Sequence, residues 1–365
     1  MRERITLFVA RSLVSLIICS VAVLATAHIS SAIEEAVWVW PDPTTGTPIT
    51  DTGGPETLVA NASQSGVTEL FVSVYSSTTS STGRQMFADA LLKDLILQAH
   101  ADKMTVWAEY GDPSWITFAC ADNSFPLQRM ADVLNYNQAN PSAPFDGIVL
   151  DVEPSPSPTP TATPTPSAIR PTDEGPSGQQ LQQLLAFYDC IIRKVPLPIS
   201  AAISPFWTAP VVAPFNAFFQ QVIQLKLAHV IVMGYRNTVG TTDCLSDGIA
   251  CLDGPTISYW ENCPTIAIGG CQQARSGNIL AGLETSSTQA GNVTFFTQGQ
   301  TAMNQAASAM EVAFPNGGLV GFAIDAYQNA YLGSVSPNWP STNPDFPGSS
   351  LLKKHSKSKS KTPMK

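Results

Sequence analysis

Residues 145–154, FDGIVLDVEP, are the densest candidate for chemistry in this chain of 365 residues. In an extended strand, residues two apart point to the same side, so Asp151 and Glu153 would present two carboxyl groups to one space. Two carboxylates held that close do not both ionise freely. One is pushed toward neutral pH, where it can donate a proton as a general acid. The plainer alternative is that one or both cap the strand or hold an arginine.

Such a pair needs a scaffold, and the sequence supplies a repetitive one. Short β-rich apolar runs occur at 36–40, 69–76, 105–111, 147–153, 199–206, 229–236, 279–285 and 319–327. Several are almost continuously hydrophobic, as strands buried on both faces are. Helical spacing of apolar residues falls between them, at 85–102, 125–135, 179–194, 214–227 and 297–314. Strand and helix alternating eight times predicts an α/β fold, a (β/α)8 TIM barrel over residues 33–335. A doubly wound open sheet is the other arrangement with this alternation, but no Gly-rich phosphate turn follows the first strand.

In a (β/α)8 barrel the chemistry sits at the C-terminal ends of the strands. Those ends carry Trp38, Trp40, Tyr75, Glu109, Asp151, Glu153, Trp207, Tyr235, Arg236, Glu284, Asp325 and Tyr327. Carboxylates among aromatics suit sugar cleavage: aromatic faces stack on pyranose rings, and carboxyl groups protonate the leaving oxygen and stabilise an oxocarbenium-like transition state. Trp38 and Trp40 share one side of the first strand and serve either as a sugar platform or as barrel filling. Glu109 reads as a supporting residue, Glu284 as a site carboxylate or a partner for Arg236, and His100 and His229 as structural. No G-x-S-x-G elbow, P-loop, dinucleotide fingerprint or H-E-x-x-H occurs, and neither cofactor nor metal is expected.

The stretch FDGIVLDVEP resembles the strand-four signature of family 18 glycoside hydrolases, D-G-φ-D-φ-D-φ-E, with Asp146, Gly147, Asp151 and Glu153 matching and Val149 replacing the first inner Asp. The resemblance implies Glu153 as proton donor and Asp151 as the residue that orients a substrate acetamido group. Met233-Gly234-Tyr235 is similar to the M-x-Y motif of the same family, whose Tyr contacts that acetamide; Arg236 stands where the family usually has Asp. The strand-eight Trp of the family has no counterpart in residues 321–327. Glu153 and Glu284 also fall where retaining glycosidases of the large clan A keep their acid/base and nucleophile, although Val152 replaces the Asn before the first Glu. Carboxyls about 5–5.5 Å apart would allow double displacement there. The whole pattern is similar to uncharacterised exported glycosidase-like barrels.

The remaining segments have their own compositions. Residues 1–32 pair a basic start with an apolar run and the small residues Ser30, Ser31 and Ala32, which predicts a signal peptide and a secreted, extracellular protein. Of seven cysteines, Cys19 lies in that segment; the other six allow up to three disulfides. Cys244, Cys251, Cys263 and Cys271 predict a disulfide-bearing loop after strand six. Residues 154–171 form a Pro/Ser/Thr-rich insertion after strand four, and residues 336–365 read as a tail, Lys-rich from 353. Without residues 1–32 and 353–365, ten basic residues face 27 acidic ones, a charge of −17 that argues against a nucleic-acid partner. The expected partner is a carbohydrate, the expected state a monomer, and the lysines suit contact with an anionic wall or membrane surface. The function these features favour is a secreted glycoside hydrolase-like enzyme; the alternatives are a non-catalytic carbohydrate-binding barrel and a structural wall protein.

Overall fold

The computed structural model describes residues 34–40, 49, 54–75, 86–154, 178–204, 218, 221–222, 225–240, 257, 278–285, 293–314 and 318–325. Their strands are β1 (Glu34–Val39), β2 (Glu69–Ser73), β3 (Thr105–Tyr110), β4 (Gly147–Leu150), β5 (Ile199–Ile203), β6 (Val230–Val232), β7 (Ile279–Glu284) and β8 (Leu319–Asp325). Each pairs in parallel with the next, and β8 pairs with β1, closing the eight strands into a barrel in chain order. This is the expected (β/α)8 architecture. Every residue of β4, β5 and β7 is buried, as strands with a packed lumen on one face and helices on the other must be.

Five α-helices lie between these strands among the described residues: α1 (Gly54–Ser65), α2 (Asp89–Ala101), α3 (Phe125–Ala139), α4 (Gly178–Lys194) and α5 (Gln300–Ala313). In α4, Leu181, Leu184, Leu185, Tyr188 and Ile191 recur at helical spacing and form its buried stripe. The expected helix at 85–102 begins only at Asp89, and that at 125–135 runs on to Ala139. α1 and a 3₁₀ turn at Pro113–Thr117 were not expected from the sequence. The segments 1–32, 155–171 and 336–365, most of the expected helix 214–227, and the four cysteines of the loop after β6 lie outside the described residues.

The lumen is filled unevenly around its circumference. Trp38, Phe71 and Trp107 on β1–β3 meet edge to face, with ring centroids 5.4 and 6.4 Å apart. The facing strands contribute the smaller Val149, Ala202, Ile231, Leu280 and Ala323 to the same core. Gly147 opens β4 beside the Trp107 ring, and a Cβ there would lie 2.1 Å from its carbons. Asp146, just before it, uses Oδ2 to accept hydrogen bonds from Val106 N at 2.8 Å and His100 Nε2 at 2.9 Å. The D-G pair therefore anchors the start of β4 to β3 and α2, away from the strand ends. At the same lower end, His229 N donates to Ser200 Oγ at 3.2 Å, and its Nδ1 lies 3.6 Å from Glu69 Oε2, a buried polar plug.

A disulfide joins Cys120 to Cys190, with Cα atoms 5.8 Å apart and 70 residues of separation. It ties the segment after β3 to α4. Loop-closure entropy makes a cross-link of that span worth about 2–4 kcal/mol. The Cys120→Ala/Cys190→Ala protein should lose stability of that order, read by denaturant melts of oxidised wild type and variant. Gly147→Ala should cost about 1–3 kcal/mol by driving a methyl into the Trp107 ring, and its near-UV circular dichroism should change with it.

Candidate functional site

The barrel ends of β4, β6, β7 and β8 build the site. β4 stops at Leu150, three residues before the sequence pattern suggested. Asp151 N still donates to Tyr110 O at 2.8 Å, but the chain then leaves the sheet. Gly111 sits against this exit: a Cβ on it would lie 1.8 Å from the carbonyl oxygen of Asp151, so a glycine is needed for the chains to pass. Val152 and Pro154 are buried and Glu153 is exposed. Burial alternates from Asp151 to Pro154 even though β4 has ended, with Val152 and Pro154 the buried pair.

The two carboxyls are electrostatically distinct. Asp151 Oδ1 is shut from solvent with no hydrogen-bond partner among the described residues. Desolvation first, and then the charges of Glu153 and Asp325, push Asp151 up to about 7. Glu153, although exposed at the mouth, is also raised, by desolvation among the surrounding protein atoms and then by the charge of Asp325.

After β6 the backbone of Met233 is still tied to β5, its N donating to Ile203 O at 2.9 Å. Tyr235 then lays its ring over β7, where a Cβ on Gly282 would lie 2.8 Å from Tyr235 Cε1. Burial holds the Tyr235 phenol well above the usual phenol range, followed by the charges of Asp325, Asp151, Glu284 and Glu153. The hydroxyl therefore keeps its proton and stays a hydrogen-bond donor. Arg236 Nη1 donates to the carbonyl of Tyr235 at 2.7 Å.

Glu284 and Asp325 are register neighbours at the ends of β7 and β8. Glu284 is 1% exposed. Trp40 Nε1 donates to Asp325 Oδ1 at 2.7 Å. Asp325 is raised by burial, and the hydrogen bonds from Trp40 and with Glu284 oppose that rise.

The other candidates are dispersed. Trp38 lies in the barrel core at 1% exposure, so of its two readings the structure places it in barrel filling. Glu109 is buried on β3, level with Val149 and therefore below the mouth. Tyr75 packs edge-on against Tyr110 at 5.1 Å and under the Arg129 guanidinium, whose Nη1 donates to the Tyr75 hydroxyl at 3.3 Å. Trp207 and Tyr327 lie outside the described residues. Sequence reasoning did not identify Gly111 and Gly282 as the residues that make room for the site; glycines at the ends of barrel strands were the available signal. Among the described residues, no group of three or more His, Cys, Asp or Glu is arranged to hold a metal ion.

No protein-family model and no curated protein matches this chain. Among solved structures, the chain is similar to the GH18 chitinase from Pseudoalteromonas aurantia, at 13% identity and a TM-score of 0.47, over 82% of this chain and 96% of that one. It is similar to the spore cortex-lytic enzyme SleL of Bacillus megaterium QM B1551, at 11% identity and 0.48, over 88% and 73%. It is also similar to an endo-beta-N-acetylglucosaminidase from Cordyceps militaris, at 13% identity and 0.43, over 88% and 89%.

The raised Asp151 has a consequence for stability. Unfolded, it releases its proton near an ordinary aspartate value of about 3.9; folded, it does so at about 7. Between those values the folded state binds more protons, so this group makes stability fall as pH rises from about 4 to about 7 and level off above. Asp151→Asn should flatten that fall and raise Tm at pH 8 relative to wild type, with little difference at pH 4. Thermal melts across that pH series measure it.

Proposed function

We propose that this protein is a glycoside hydrolase acting on a polysaccharide or glycoconjugate, with Glu153 as general acid. The reading is supported by the placement of Asp151 and Glu153 just after β4, Tyr235 after β6, and Glu284 and Asp325 at the ends of β7 and β8, with Glu153 exposed and its carboxyl raised. An acid that keeps its proton toward neutral pH can give it to a glycosidic oxygen as the bond to the anomeric carbon breaks. Asp151, less exposed than Glu153 and pushed up to about 7, suits an orienting role, and the Tyr235 hydroxyl keeps its proton as a donor. These are the positions that the family 18 resemblance assigns to binding an acetamido group, and a substrate-assisted route follows from them. Glu284 as nucleophile is disfavoured by its burial and its hydrogen bond with Asp325.

Release from the cell belongs to the same proposal and is supported by the Cys120–Cys190 bond, which suits an oxidising compartment. The lysines from 353 onward would then add salt-sensitive adhesion to an anionic surface.

One observation favours a second reading, a carbohydrate-binding barrel without turnover. Val149 is fully buried in the lumen core where the family motif has a carboxylate, so one acid of the motif is missing. A glycan panel with product analysis separates the two. On the main reading, wild type releases sugar and Glu153→Gln lowers kcat about 10²–10⁴-fold. Full activity in Glu153→Gln rules out the assignment, and calorimetric binding with no product after long incubation selects the second reading.

A further inference from the structure

The floor of the barrel holds a second polar group, at the opposite end from the acids. Glu69 is the first residue of β2, and His229 immediately precedes β6. In eight strands closed in chain order β2 and β6 stand opposite one another, so a contact between these residues crosses the lumen. His229 Nδ1 lies 3.6 Å from Glu69 Oε2. The same nitrogen is 3.3 Å from Ser200 Oγ on β5, and the imidazole meets the Trp107 ring on β3 with centroids 5.5 Å apart. A carboxylate within about 4–6 Å and an indole ring within about 6 Å both favour the imidazolium, while burial opposes it. Both side chains keep 10% of their surface in contact with solvent, so desolvation is incomplete. Nδ1 also faces two oxygens: a proton there serves both, whereas a bare nitrogen would set its lone pair against the carboxylate.

We propose that Glu69 and His229 form a pH-dependent brace across the floor of the barrel: ionised together they tie β2 to β6, and loss of the His229 proton releases the tie. The other ionisable groups at this end are placed elsewhere. Asp146, before β4, accepts from Val106 N and His100 Nε2. Glu35 lies on the opposite face of β1 from the lumen residue Ala36, and Glu34 has Gly321 of β8 as its register partner. Asp102 and Lys103 before β3, Arg193 and Lys194 before β5, and Lys226 before β6 are exposed. Unfolded, a histidine holds its proton to about 6.5. A folded value raised by Glu69 gives stability that is fully present below about 6.5 and is lost as pH rises through the folded value. The Asp151 effect has levelled off by about pH 7, so a fall continuing above that belongs to the brace. The brace does not depend on what the mouth of the barrel does.

The test follows the imidazole directly, by NMR titration of the histidine ring resonances of the full chain, His229 being assigned with His229→Gln. In wild type His229 should titrate above about 6.5. In Glu69→Gln, which keeps the shape and removes the charge, it should titrate lower by about one unit or more, and Glu69→Asp should retain most of the rise. Thermal melts should show the same link: the fall in Tm above about pH 7 persists in Asp151→Asn and is lost in Glu69→Gln. A wild-type His229 that titrates at or below about 6.5 overturns the proposal, as does an unchanged value in folded Glu69→Gln. If Glu69→Gln does not fold, the wild-type titration decides alone.

Discussion

The ring of Trp107 occupies the space where Gly147 would carry a side chain, and much of the barrel's upper half depends on that contact. Three aromatics on β1–β3 fill the lumen from one side, so the strand facing Trp107 must begin with no side chain at all. Asp146 then locks the strand start to the backbone of Val106 and to His100. With its register set at the bottom, β4 delivers Asp151 beside Gly111 and lets the chain turn out of the sheet there. The placement of the acids is therefore decided several residues before the acids themselves.

The mouth of the barrel works by accumulating like charge in a poorly solvated space. The indole of Trp40 donates to Asp325, and the guanidinium of Arg236 donates to the Tyr235 carbonyl. Burial and like charge together favour the protonated forms, and Asp151, less exposed than Glu153, is pushed up to about 7. Such an arrangement costs stability, as functional sites commonly do.

Much of the fold was legible because parallel strands buried on both faces leave unbroken apolar runs. All eight occur in the expected order. α1 escaped notice because its buried stripe is sparse, resting on Pro55, Leu58, Val59, Ala62 and Ser65. The end of β4 was misplaced because apolar alternation continues through Val152, whereas pairing is ended by a close approach to Gly111 that no periodicity records. Periodicity also gives the face of a strand but not the depth. Trp38 and Trp40 share a face, yet the first is sealed in the core and the second reaches the mouth. The Trp40–Asp325 hydrogen bond joins residues 285 apart, beyond what local spacing can show.

The Cys120–Cys190 cross-link has a further consequence. Between its two sulfurs the chain passes through α3, β4, the paired acids and residues 155–177 before entering α4. The bond brings the two ends of that excursion to one place whatever lies between Pro154 and Gly178. Lengthening such a connection costs little, about 0.6 kcal/mol for each doubling. This connection can therefore change in length at little cost in stability.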